Sequence, residues 1–335
     1  MPARVDKIEQ GFHLIVIFLA FIIPVFGSDV HFAAGKSSLG IPFELENNLI
    51  FVRVSVNGSR PLRFAVDSGA SVNVLDLQNA KVFDLSLQPI GKAGGIGAQN
   101  NEAFALTDKV SIGLPGVVLS DQSMAAISLN LASQCFDQIT DAGTDKNNSP
   151  TQKETTKVVF DGVLGKGFWD SFVVEIDYPS RKLNLYDPKD YEYKGKGENV
   201  PLDLALAVAI VQAKIRGQGG RSIKARLIVD TGGGGQIPLT LNNDFADKLG
   251  ILPPAKTLTP VNECGASGVA EGTSYKGTLK GLQLGNLKLD KPMTFFRKHP
   301  TGANYDGIIG GIAFQNLKVI FDYSHRRMIL ESSRN

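Results

Sequence analysis

Cysteine, histidine and an excess of either charge are all scarce in this chain, and each shortage removes a class of function. Cys135 and Cys264 are the two cysteines among 335 residues, and the four histidines are scattered. Neither a Cys-x-x-Cys nor a His-Glu-x-x-His spacing occurs, so no metal site is predicted. A net charge of +2, with 20% charged residues, offers no basic surface for nucleic acid or anionic lipid. The Gly-x-Ser-x-Gly elbow of serine hydrolases is missing. The glycine-rich stretches Gly91–Gly97 and Gly232–Gly235 lack both Gly-x-Gly-x-x-Gly and a terminal Gly-Lys-Ser/Thr, which excludes the common nucleotide cradles. No cofactor is implied.

One long apolar run is present, from Leu14 to Phe26. Its thirteen residues fall short of the roughly 20 needed to span a bilayer as a helix. Arg4 and Lys7 precede it and Gly27-Ser28-Asp29 follow, which is the anatomy of a signal peptide. The expectation is residues 1–27 as a leader cleaved after Gly27, with retention as a membrane anchor as the alternative. Both readings place the rest of the chain in an exported location, periplasmic or secreted, and membrane contact follows if the segment is kept. In an exported protein Cys135 and Cys264 can pair or stay as separate thiols, and both alternatives stand.

The remainder is a repeat. Phe64-Ala-Val-Asp67-Ser68-Gly69 returns 163 positions later as Leu227-Ile-Val-Asp230-Thr231-Gly232. Each copy sets one carboxylate at the end of an apolar strand, followed by a hydroxyl and a glycine that force a turn. Upstream, Val52-Arg-Val-Ser-Val56 is matched by Val211-Gln-Ala-Lys-Ile215. Downstream, Asp161-Gly-Val-Leu-Gly165 and Val174-Glu-Ile-Asp-Tyr178 return at an offset of 145 as Asp306-Gly-Ile-Ile-Gly310 and Val319-Ile-Phe-Asp-Tyr323. Alternating strands between glycine turns predict an all-β chain of two pseudo-symmetric lobes. One short helix is expected in each lobe, near Leu77–Phe83 and Asn243–Leu249. The lobes are assigned to residues 39–190 and 201–335, joined by a charged linker at 191–200. The first lobe carries an insertion near Leu131–Lys157 with no apolar pattern, read as a mobile surface loop.

Two carboxylates brought together on a twofold axis cannot both ionise cheaply, so they share a proton. One then takes a proton from water while the other donates one to a carbonyl, which is acid–base hydrolysis without a metal. With Asp67-Ser-Gly-Ala70, Asp230-Thr-Gly232, Val163-Leu-Gly165 and Ile308-Ile-Gly310, the chain resembles the aspartic proteases, and within them the retropepsin-like branch. The resemblance implies Asp67 and Asp230 as the catalytic pair and Ser68, Gly69, Thr231 and Gly232 as their support. It also implies a glycine-containing flap, which by position is Gly94, Gly95 and Gly97 or Gly265 and Gly268. It implies a single-chain endopeptidase acting as a monomer on extended peptide or protein substrates. Gly233-Gly-Gly235 departs from the family pattern and keeps a non-catalytic, ligand-binding protein of the same fold as the alternative. Phe168, Trp169 and Phe172 read as core, and Asp177 and Asp322 as turn formers.

Overall fold

The computed structural model describes residues 10–13, 29–92, 103–130, 132–134, 160–265, 268–297 and 304–332. The chain is all-β, with two large sheets, one of nine strands from the first half and one of eleven built mainly from the second. Strand Leu49–Val56 buries Val52, Val54 and Val56 while Arg53 faces solvent, and it pairs antiparallel with Leu62–Val66. The same alternation in Ile210–Arg216 pairs it with Ser222–Asp230.

The repeated Gly-x-x-Gly blocks form the inner strand of each lobe. Gly162–Leu164 runs parallel to Phe64–Val66 and antiparallel to Val74–Leu75. Gly307–Gly310 does the same between Leu227–Asp230 and Leu239–Leu241. The strand is threaded so closely that a methyl group on Gly307 would sit 2.2 Å from the Thr240 carbonyl oxygen, and one on Gly162 would sit 2.3 Å from the Phe64 ring. Close approach explains why these positions repeat as glycine.

The short helices lie at Leu77–Val82 and Asn243–Lys248, each begun by a side-chain cap. Asp76 Oδ1 accepts the Gln78 N–H at 2.9 Å, and Asn242 Oδ1 accepts the Asp244 N–H at 3.0 Å.

A third sheet of six strands joins the halves. At its centre Val173–Asp177 pairs antiparallel with Leu317–Asp322, and Glu175 lies opposite Ile320. Glu175 and Ile320 are related by the same 145-position offset as Asp161 and Asp306, so the pseudo-twofold axis passes between them. One apolar core cluster runs through both halves, from Ile41 to Leu330. Phe168, Trp169 and Phe172 are buried in it. Asp177 Oδ1 accepts the Ser180 N–H, and Asp322 Oδ1 accepts the His325 N–H, as turn formers do.

The linker lies against the third sheet. The Tyr191 ring packs 4.8 Å from Tyr186, and Tyr193 donates its hydroxyl to Glu331. At the other end of the chain, Gln10–His13 forms a strand in the eleven-stranded sheet. The apolar run Leu14–Phe26, the first-lobe flap positions Gly94, Gly95 and Gly97, most of the insertion, and Cys135 lie outside the described residues, as does the Cys264 side chain. No helix among the described residues is long and apolar enough to cross a membrane.

Threading through a crowded sheet makes a testable difference between glycines. Gly307→Ala is expected to cost about 1–3 kcal/mol in urea unfolding, because the methyl meets backbone. Gly219→Ala, where nothing lies within 4 Å, is expected to change stability by less than about 0.5 kcal/mol.

Candidate active site

Asp67 follows strand Leu62–Val66, and its N–H donates to the Leu164 carbonyl at 3.0 Å. Asp230 ends strand Ser222–Asp230. Each loop thus leaves its lobe at the threaded inner strand, and the two loops meet face to face. A methyl group on Gly69 would lie 3.1 Å from Asp67 Oδ1 and 3.0 Å from Asp230 Oδ1, so the two carboxyls share one small volume. A methyl on Gly232 would fall 2.3 Å from the Asp67 carboxyl carbon. Each glycine of the Asp-Ser/Thr-Gly repeat is therefore packed against the other lobe's aspartate.

The hydroxyls between them are exchanged across the axis. Ser68 Oγ donates to the Val229 carbonyl at 2.7 Å and accepts the Thr231 N–H at 3.1 Å. Thr231 Oγ1 donates to the Val66 carbonyl at 2.8 Å and accepts the Ser68 N–H at 3.0 Å. All four groups are buried, so losing one hydroxyl leaves a donor and an acceptor unsatisfied. Ser68 and Thr231 brace the loops against each other rather than bonding their own carboxylates.

Both aspartates are at 0% exposure. Burial, and then the like charge of Asp230, pushes the Asp67 carboxyl well above the usual carboxylate range, and a hydrogen bond shared with Asp230 adds to the rise. The Gly69 N–H, donating to Asp67 Oδ1 at 2.7 Å, opposes it. The pair thus keeps a proton into a range where a lone aspartate has lost its own. Beneath it lie two buried tyrosines. Tyr178 is pushed up by burial and by Asp230, and Tyr323 by burial, Asp170 and Asp67.

Trp169 has a second role that its apolar setting concealed. Its indole N–H donates to the Asp67 carbonyl at 2.9 Å, and its ring stacks on Tyr323. The 145-position offset puts Phe314 at the matching place in the second half, so Asp230 has no such tether from it. The glycine run after Asp230 is held by other means. The Gly235 N–H donates to the Asn47 carbonyl at 2.9 Å, and Asn48 Nδ2 donates to the Gly235 carbonyl at 2.5 Å. Gly265 and Gly268 pair near the tip of the hairpin made by Thr259–Gly265 and Gly268–Thr278. In the first lobe the matching hairpin is formed by Gln88–Lys92 and Ala103–Leu114. Among the described residues, no group of three or more His, Cys, Asp or Glu side chains is placed to hold a metal ion.

Two measurements follow from this geometry. Thr231→Val is expected to lose about 1–3 kcal/mol of unfolding free energy while Thr231→Ser stays near wild type, since only the serine keeps the exchange. Folding raises the Asp67 pKa, so the stability tied to its proton is complete below about 3.9, the ordinary aspartate value, and is lost as pH rises through the folded value. Asp67→Asn is therefore expected to melt above wild type by a margin that widens from pH 3 to pH 7; a margin independent of pH would contradict the shared proton.

No family model and no curated protein matches the sequence. Among solved structures the chain is similar to the aspartic proteinase from Irpex lacteus, over 89% of this chain and 98% of that one, at 12% identity and a TM-score of 0.48.

Proposed function

We propose that the chain is an aspartic endopeptidase in which Asp67 and Asp230 activate a water for attack on a peptide carbonyl. The observation that carries this is the meeting of two buried carboxyls, one from each half of a repeat, where burial and the like charge of Asp230 raise the Asp67 pKa and favour a shared proton. The ionised member takes a proton from the water, and the protonated member donates to the carbonyl oxygen, which forms a tetrahedral adduct. Return of a proton to the leaving amine breaks the C–N bond and resets the pair. The backbone brace keeps the carboxyls in place through the cycle, so little reorganisation accompanies proton movement. Both aspartates come from one chain, which supports activity as a monomer. The narrower retropepsin-like affinity is supported by Asp67-Ser-Gly-Ala70 and its repeat, and export by the leader-like N-terminal run.

Cleavage of a mixed peptide library between pH 3 and pH 8 tests this reading. Activity is expected on the acid side, falling as the second carboxyl ionises. Asp230→Asn is expected to lose at least about 10²–10⁴-fold in kcat. A folded wild-type chain that cuts no peptide at any pH would contradict it and favour a ligand-binding role.

A further inference from the structure

The turn between strands Glu44–Glu46 and Leu49–Val56 is made of two asparagines, with Glu46 opposite Leu49. Asn47 and Asn48 both hold positive φ, 45° and 67°, which is the conformation of a two-residue type I′ turn and one that asparagine tolerates. The strand that follows pairs with Leu62–Val66, and Phe51 lies opposite Ala65. The same register carries Leu49 to the level of Asp67, and the turn projects just beyond it. There it meets the other half of the molecule at two places. Asn48 Nδ2 donates to the Gly235 carbonyl at 2.5 Å, while the Gly235 N–H donates to the Asn47 carbonyl at 2.9 Å. Asn48 Oδ1 accepts a hydrogen bond from Gln315 Nε2. Gly235 ends the glycine run after Asp230, and Gln315 closes the short 3₁₀ turn Gly311–Phe314. That turn follows Gly310, the residue paired with Asp230. One amide group thus spends its two ends on the two segments that flank Asp230.

We infer that Asn48 is a positioning residue for Asp230: its side-chain amide, reaching across from the first lobe, fixes the loop that carries the second carboxyl against Asp67. For what that carboxyl then does, the inference rests on the endopeptidase reading. Gly233-Gly-Gly235 has no side chains with which to hold itself, and glycine has more backbone freedom than any other residue. The hold comes from outside the loop. On the first-lobe side the Trp169 indole N–H already secures the Asp67 carbonyl. At the place matching Asn48, the second lobe keeps the backbone conformation and drops the amide. There Ile210 lies opposite Ile228, so the register brings Val208 to the level of Asp230 and puts Ala207 where Asn48 stands in the first lobe. Ala207 also has a positive φ, at 61°, yet its methyl group can neither donate nor accept. The clamp is therefore one-sided, and it acts on the aspartate whose own loop is the poorer in side chains. Loosening that loop lets the carboxyls drift apart, and distance weakens the repulsion that makes them share a proton.

The test removes the amide and keeps the turn. Asn48→Gly suits a positive φ, so the hairpin is retained. Asn57→Gly is the control: it removes the asparagine just past the other end of the same strand, where φ is 50° and Asn57 Oδ1 accepts the Ser111 N–H at 2.8 Å. Gln315→Leu breaks the second contact of the amide and leaves the turn intact. Carboxyl titration on ¹³C-labelled aspartate, amide exchange at Gly235 and steady-state cleavage are measured on the full-length chain. In Asn48→Gly the upper titration step of the pair is expected to move toward the ordinary aspartate value by at least about 0.5 pH unit. The Gly235 amide is expected to exchange at least about tenfold faster. In a cleaving enzyme kcat is expected to fall at least about tenfold with KM within about twofold, as misplacement of a reacting group does. Gln315→Leu is expected to shift the titration in the same direction by less, and Asn57→Gly to leave all three readouts at wild-type values. No titration shift in Asn48→Gly, or an equal one in Asn57→Gly, would overturn the inference; if Asn48→Gly does not fold, no shift in Gln315→Leu would do the same. Titration and exchange need no catalysis, so a wild type that cleaves nothing refutes the endopeptidase reading while the role of Asn48 is still decided.

Discussion

Four hydrogen bonds exchanged between the Asp67 and Asp230 loops join the lobes at the pseudo-twofold axis. Ser68 and Thr231 each give a hydroxyl proton to a carbonyl of the other lobe and take an N–H from the other residue's backbone. The arrangement is symmetric, so neither loop can shift without breaking bonds in both halves. The six-stranded sheet sets the same axis at the Glu175–Ile320 pair, far along the chain from the dyad. One symmetry operation thus positions two carboxyls that belong to different sheets.

That placement carries a cost, since two buried carboxylates repel each other and are withdrawn from bulk solvent. A shared proton relieves it, so the rise in the Asp67 pKa is a stability effect, and it is the kind of shift that a general acid needs. The backbone supports differ. The Trp169 indole holds the Asp67 carbonyl, and Phe314, at the matching place in the second half, carries no side-chain N–H to do the same. The loop of Asp230 is fixed farther along, where Gly235 meets Asn47 and Asn48 of the first lobe. Two carboxyls with different surroundings suit a reaction in which one gives a proton as the other takes one.

Much of this was legible because duplication prints the same physical constraint twice. The Asp-Ser/Thr-Gly turns, the glycines of the threaded strands and the two capped helices each rest on local chemistry, and local chemistry repeats in sequence. The six-stranded sheet was hidden, because pairing between Val173–Asp177 and Leu317–Asp322 depends on residues some 145 positions apart and leaves no local period. Trp169 read as core because burial and hydrogen bonding coincide in one side chain. The hydroxyls of Ser68 and Thr231 could be placed near the carboxylates but not aimed, since their acceptors are backbone groups of the opposite half. Gln10–His13 read as part of a leader, and nothing in four residues of sequence predicts that Phe12 and His13 pair with Gly234 and Gly233. The clasp on the glycine run shows how a stretch that looked loose is held by contacts distant in sequence.

The most direct test of the central claim is carboxyl titration by NMR on selectively ¹³C-labelled aspartate, with Asp67→Asn and Asp230→Asn used to assign the pair. Two macroscopic steps are expected, one of them well above the ordinary aspartate range of about 3.9 and abolished by either substitution. Independent titration of both carboxyls near that ordinary value would mean that they do not share a proton, and the account of the site would fail.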